Sequence, residues 1–333
     1  MGITHDGADE WRPAASLAAL RTRASLLRKL REFFWDRGFL EVETPLLSAE
    51  VIPEPHIEPI RTVGGEFLQA SPEMHMKRLL AGGAEDIFQV THSFRANERG
   101  RLHNPEFTIV EWYRVGDDMT AGVDLLDELM QTLLNTPPAV RTTYADAFKR
   151  HVGICPHTAT IEELAALAQS SGWLEPSTSE RPENAPVDRD EWLNLLLSQR
   201  VEPELGADRP EIIYHYPASQ ASLATTIPSE HGHKVAERFE LYWRGVELAN
   251  GFHELTDATE LRTRFEEVNA ARATTGCPAL PLPEELLAAM KRGMPNSAGC
   301  ALGFDRLAML AANAASIEEV IAFPVCRADA RSL

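Results

Sequence analysis

Apolar residues recur along this chain with two alternating periods. Leu17, Leu20, Leu27, Leu30 and Phe34 fall at helical spacing over residues 16–37, and Gly38 supplies the stop. Residues 39–44 then alternate Phe, Leu, Glu, Val, Glu, Thr and predict a strand closed by Pro45. A short helix over 73–80 is broken by Gly82 and Gly83, and an amphipathic helix is predicted over 119–134. Ile87, Phe88 and Val90 in residues 85–94, and the β-branched and aromatic run 108–113, predict two strands framing a long polar loop. Residues 211–217 read as a strand, and 234–243 with 246–255 as a hairpin turning at Arg244 and Gly245. Helices over 258–276 and 284–292, and one from Phe304 to about Ala315, complete the second half.

Residues 141–210 read as a more variable helical insertion. They hold helices near 160–170 and 191–201 around a polar, proline-containing loop at 175–190 that has no periodicity. No chemistry beyond packing is legible there, although the region could shape access to a site. Residues 1–12 form a polar stretch read as a flexible tail, and 13–330 as a single domain. The length of 333 residues allows one large or two small domains.

Charge narrows the partners. There are 50 acidic against 32 basic residues, a net charge of −18, without the basic runs that nonspecific nucleic-acid binding needs. Cys155, Cys277, Cys300 and Cys326 are widely spaced and form no CxxC pair, which fits a reducing cytoplasm better than a disulfide framework or metal cluster. No apolar run reaches membrane-spanning length, so a cytoplasmic location and no membrane partner are expected.

The loop between the strands at 85–94 and 108–113 carries the chemistry. The run Phe94–Tyr113, FRANERGRLHNPEFTIVEWY, places arginines on a hairpin, where a planar guanidinium suits phosphate oxygens and a returning aromatic suits a purine. This run resembles motif 2 of the class II aminoacyl-tRNA synthetases in its lysyl type. GFLEVETPLL at 38–47 resembles motif 1, and ALGFDRL at 301–307 resembles motif 3. SPEMHMKRLL at 71–80 and RGVELANGFHELTD at 244–257 are lysyl-type in character. Five segments in the correct order over most of the chain make the resemblance specific. A short tail and one helix precede motif 1, leaving no room for an anticodon-binding domain ahead of it. The chain is therefore most similar to the elongation factor P–(R)-β-lysine ligases, free-standing synthetase-like catalytic domains.

The resemblance implies an α+β class II synthetase catalytic fold: a six- to seven-stranded antiparallel sheet flanked by helices, in a homodimer formed through the motif 1 helix and strand. The periodicity of that pair is equally compatible with a core helix and an edge strand. The resemblance also implies ATP and Mg2+ as cofactors, (R)-β-lysine as substrate, elongation factor P as the protein acceptor, and no tRNA. Adenylate formation brings a carboxylate to the α-phosphate of ATP and expels pyrophosphate, so cations are needed at both places. Arg95 would lie on the α-phosphate and Arg306 on the γ-phosphate, with Phe107 stacked on adenine. Ala96, Asn97, Glu98, Leu248 and Gly303 would complete the ATP site, and His103 and Asn104 would orient the loop and the substrate carboxylate. Glu240 and Glu247 match the metal-binding pair.

For the lysine-like substrate, Glu254 matches the carboxylate for the distal ammonium, with Glu111 and Tyr113 completing the pocket. Ser71, Pro72 and Glu73 would meet the reacting end and its amino group, and Asn250 the carboxylate. Strict alternation puts Glu247 and Glu254 on opposite faces of a strand, so a bulge or twist near Gly251 is expected. Two departures stand out. Asn97 occupies the place of the usual motif 2 glutamate, with Glu98 following it. Ala301 stands where lysyl-tRNA synthetases usually have glycine, and its methyl would favour a shifted amino group. Two alternatives stay open: a truncated lysyl-tRNA synthetase-like enzyme activating α-lysine, and a catalytically silent regulatory paralogue. No general base for a transfer step is legible.

Overall fold

The computed structural model describes residues 11–170, 186, 188–274 and 276–325. Residues 1–10 of the predicted tail and most of the predicted loop at 175–190 lie outside the described residues.

The first helix, α1 (Leu17–Trp35), starts where the Ser16 hydroxyl accepts from the Ala19 amide. It stops before Gly38, whose φ of +83° a side chain would resist. The strand predicted at 39–44 shrinks to β1 (Leu40–Glu41), because only these residues pair, in parallel, with Ile87 and Phe88. A small ribbon of β2 (Leu47–Ser48) and β3 (Phe67–Leu68) leads to α2 (Glu73–Ala81). The expected hairpin follows as β4 (Ile87–Phe94) and β5 (Glu106–Val115), then α3 (Met119–Leu134) within its predicted bounds.

Two elements absent from the sequence reading come next, β6 (Val140–Thr143) and α4 (Tyr144–His151). After α5 (Ile161–Ser170), α6 (Arg189–Leu196) runs on as a wider π-helical turn to Val201. The second half holds β7 (Glu211–Pro217), β8 (Thr226–Pro228), β9 (Lys234–Trp243) and β10 (Val246–His253). It ends with α7 (Ala258–Thr274), α8 (Glu284–Gly293), β11 (Ser297–Gly303) and α9 (Phe304–Ala311). The motif 3 segment leads into a helix at Phe304 as expected, but its first three residues, Ala301–Gly303, are the end of a strand.

The main sheet has nine strands rather than six or seven, ordered β1-β4-β5-β11-β10-β9-β7-β6, with β8 added alongside β9. The six central strands are antiparallel as expected, whereas the edge strands β1 and β6 pair in parallel. Side chains alternate across the sheet. Val110 and Trp112 join Leu30, Phe34, Leu126 and Leu307 in a core under α1, α3 and α9. Tyr113 and Ile213 join Met76, Phe148, Leu193 and Leu287 on the other side. The described residues between 141 and 210 therefore pack into a core shared with α2, α7 and α8. Among the described residues no helix is long and apolar enough to cross a membrane.

Candidate active site

Register builds the site. Across the sheet, Glu111 on β5 pairs with Ala301 on β11, Ala301 with Asn250 on β10, and Asn250 with Glu240 on β9. Directly paired residues share a face, so one row carries four residues of the predicted site. The next row pairs Tyr113 with Gly299, Gly299 with Phe252, and Phe252 with Arg238. The expected bulge exists, but between Glu247 and Ala249 rather than near Gly251. The extra residue, Leu248, restores parity: Glu247 pairs with Tyr242, which shares a face with Glu240.

Above these rows lies a cavity of about 1390 Å³. Arg95, Glu98, His103, Asn104 and Phe107 line it from the motif 2 loop, and Leu248, Gly303 and Arg306 from the opposite wall. Ser71, Glu73, Glu240, Glu247, Asn250 and Ala301 line it too. Six predicted site residues do not: Pro72, Ala96, Asn97, Glu111, Tyr113 and Glu254. Ala96 instead donates its amide to the Glu58 carbonyl, and Asn97 adopts φ +64° to turn the loop.

At one end stand the arginines. Arg306 donates to the carbonyls of Leu102 and Glu247, to the Glu247 carboxylate at 3.1 Å, and to His103 Nε2 at 2.8 Å. Burial, then Arg306 and Arg95, push His103 down to about 4, so its ring is neutral with the proton on Nδ1. Arg95 reaches the Ala70 carbonyl at 3.4 Å and Glu98 at 3.8 Å, and its guanidinium lies 5.0 Å from the centre of the Phe107 ring. Asn104 uses both ends of its amide on backbone, donating to the Glu106 carbonyl and accepting from Val325. It braces the loop, and among the described residues its second amide N–H is uncommitted. Asp305 takes the Thr108 amide and an ion pair at 2.6 Å from Arg23 on α1, which fixes the start of α9 and hence Arg306.

At the other end the groups lie beneath the cavity floor. Lys77 on α2 is buried and bridges Glu73 at 2.5 Å and Glu254 at 2.6 Å. Burial alone would depress its ammonium, but Glu254 and Glu73 outweigh that and hold it well above the ordinary value. Glu111 accepts from Ser71 and Tyr113, each at 2.6 Å. Burial, and then the charge of Glu73, push Glu111 up, and burial pushes Glu254 up despite Lys77. Glu254, expected to meet a substrate ammonium directly, is thus already paired within the chain. A side chain at Gly299 would collide with Glu254 and Tyr113, so glycine there is what lets the two approach β11.

Between the ends, Glu240 accepts from Tyr216 at 2.6 Å and from Tyr242, and it pairs with Arg238. Glu202 lines the same wall, from the turn after the π-helical segment. Residues 141–210, read as offering no chemistry beyond packing although able to shape access to a site, thus place a carboxylate in the cavity wall. Burial, then Glu240 and Glu247, push Glu202 up to about 7. Burial and then Glu240 likewise raise Glu247. Neighbouring carboxylates raised in this way suit a hard divalent cation, which would relieve their repulsion together with phosphate oxygens. Glu247 and Glu202 fit that role better than Glu240, which already takes three donors. Among the described residues no cluster of three or more such groups forms a closed metal cage.

The sequence reading assigned no role to Lys77, Arg238 or Glu202. Lys77 lay inside the quoted SPEMHMKRLL run, four residues after Glu73, a spacing that places both on one helix face.

An antiparallel sheet presenting two arginines opposite a row of carboxylates is the architecture of an adenylate-forming synthetase domain. Residues 9–327 match the family described as tRNA synthetases class II (D, K and N), and the chain belongs to that family. It is 47% identical over 327 residues to the elongation factor P–(R)-β-lysine ligase of Klebsiella pneumoniae, covering 96% of this chain and 98% of that protein. Identity to the protein of the same name from Edwardsiella ictaluri is 48% over 327 residues, with the same coverage. That from Erwinia tasmaniensis is 47% identical over 326 residues, covering 95% of this chain and 98% of the relative.

Proposed function

We propose that this chain activates (R)-β-lysine with ATP as an aminoacyl-adenylate and transfers it to a lysine side chain of elongation factor P in the cytoplasm. The observation that carries the reading is the row Glu111–Ala301–Asn250–Glu240 lying between Arg95 and Arg306 on one side and the Lys77 network on the other. The shared name of relatives near 47% identity supports the substrate and acceptor.

In this reading Arg95 stabilises charge on the α-phosphate as the substrate carboxylate attacks it, and Arg306 holds the γ-phosphate of a bent ATP. Neutral His103 keeps Arg306 aimed by accepting its hydrogen bond, so no added positive charge repels the guanidinium. Phe107 and Arg95 offer a face for adenine. Glu247, with Glu202 and Glu240 beside it, holds Mg2+, which when bound neutralises phosphate oxygens. Three carboxylates, Glu73, Glu111 and Glu254, surround one ammonium, Lys77; a substrate ammonium completes that balance and lowers the raised carboxyls again. The Ala301 methyl, between Glu111 and Asn250, narrows the space for an α-amino group.

Leu17 and Trp35, at the two ends of α1, and Leu40 on β1 expose 68%, 52% and 61% of their surface, apolar residues that a second copy of the chain would cover. A solution mass of twice 36.9 kDa would support the homodimer.

ATP–pyrophosphate exchange tests the activity. Exchange is expected with (R)-β-lysine well above α-lysine and (S)-β-lysine. A preference for α-lysine would move the assignment to a lysyl-tRNA synthetase-like enzyme, and absence of exchange would favour a silent paralogue.

A further inference from the structure

The transfer step needs a base. An acceptor lysine arrives as an ammonium, with an ordinary pKa near ~10.4, and cannot attack until it loses a proton. Most carboxylates near the reacting end are already committed. Glu73 and Glu254 hold Lys77, Glu111 takes Ser71 and Tyr113, Glu240 takes two phenols and Arg238, and Glu247 takes Arg306. Glu54 differs. It lies between β2 and β3, a segment to which the sequence reading gave no role, and it lines the cavity together with Ser71, Glu73 and Arg95. Among the described residues its carboxylate has one hydrogen-bond donor, the Ser222 hydroxyl at 3.3 Å.

Its wall is firmly set. Arg272 donates to the Glu54 carbonyl at 3.4 Å, and Arg264 donates to the Ser222 carbonyl at 2.7 Å. Glu54 as a whole is half-buried in the cavity wall.

We propose that Glu54 is the general base of the transfer half-reaction, accepting a proton from the acceptor lysine ammonium as it enters beside Arg95. The inference rests on the ligase reading above. The step balances as follows in atoms and electrons. One ammonium proton passes to Glu54, and the freed amine forms a C–N bond to the acyl carbon. The bond from that carbon to the AMP oxygen breaks, its electron pair leaving with AMP, and the second nitrogen proton departs with the AMP phosphate.

The electrostatics suit the task. Burial and then the charge of Glu73 push Glu54 up to about 7, against the lowering pull of Arg238, Arg95 and the Ser222 hydroxyl. A base is most effective when its pKa lies near the working pH.

The test uses the full-length protein loaded with (R)-β-lysine and ATP, then mixed with elongation factor P and followed by acceptor mass in a single turnover. ATP–pyrophosphate exchange is measured in parallel. In the wild type, transfer should rise with pH through about 7 and then level, as Glu54 ionises. In Glu54→Gln the ratio of transfer to exchange should fall on the order of 100-fold. Its residual rate should keep climbing toward the amine's own pKa instead of levelling. Glu54→Asp should regain the inflection, and Ser222→Ala should move it upward by removing the donor that favours the ionised form. Equal losses of transfer and exchange in Glu54→Gln, or an unaltered inflection in Glu54→Gln or Ser222→Ala, would overturn the assignment. A wild type without exchange would overturn the ligase reading instead.

Discussion

The two ends of the cavity are built on opposite plans. At the phosphate end, Arg95 and Arg306 are partly exposed and rest on backbone carbonyls and single carboxylates at 2.9–3.8 Å. Those partners are exchangeable: phosphate oxygens can replace them with little rearrangement. At the amino-acid end, buried Lys77 is held by Glu73 and Glu254, and buried Glu111 by Ser71 and Tyr113, at 2.5–2.6 Å. Here the partners are fixed, and a ligand must complement a finished pattern of charge. In the proposed reading, the first plan adapts to a flexible triphosphate and the second discriminates between isomers that differ by one shifted amino group.

Substitutions can break this contrast. The largest effect is expected from Lys77→Met, which leaves Glu73 and Glu254 facing each other without a cation. Loss of one partner from a buried pair costs about 3–5 kcal/mol, so urea unfolding should show a large fall in stability. An unchanged midpoint would show that the buried network is no more essential to the fold than the exposed arginines.

Arg95→Ala should do the reverse. Exchange should fall about 10²–10³-fold, as on loss of one transition-state donor, with the unfolding midpoint nearly unmoved. A comparable loss of stability would erase the distinction between the ends.

Ala301→Gly sharpens the discriminating role. Removing the methyl should shift the ratio of exchange with (R)-β-lysine to exchange with α-lysine toward α-lysine by about 1–3 kcal/mol, roughly 5- to 150-fold. No shift would remove Ala301 from the account of specificity.

The smallest effect concerns Glu202. Burial, then Glu240 and Glu247, hold its folded pKa at about 7, above the ordinary 4.5, so the folded state binds this proton more tightly. The sign follows: stability falls as pH rises from 4.5 to about 7. Partial exposure limits the change to about 1–2 kcal/mol. Glu202→Gln should flatten that slope in denaturation measured at pH 5 and pH 8, and Mg2+ with ATP should flatten it in the wild type.

Legibility in the sequence follows the same physical lines. α3 and β7 were read with their observed ends, because amphipathic helices and β-branched strands carry their own periodicity. β11 was not read as a strand. SAGCALG has no β-branched residue, and its small side chains reflect crowding on both faces. A Cβ at Gly299 would meet Glu254 at 2.3 Å, and Ala298 lies against Gly122 of α3. The strand at the centre of the sheet thus had the weakest strand signal. The arginines were legible through their motifs. Lys77, Arg238, Glu54 and Glu202 were not, because their importance comes from burial and pairing between distant segments. The bulge was anticipated from parity, but parity says that one extra residue is needed, not where it goes.

The tie between Arg23 and Asp305 turns α1 into a strut. Arg23 sits midway along that helix, holds Asp305 and Thr108, and lies 4.9 Å from the centre of the Phe304 ring. α1, β5 and α9 are therefore clamped at one point, beside Arg306. A load on the outer face of α1 reaches Arg306 along a path one helix long, bypassing the sheet.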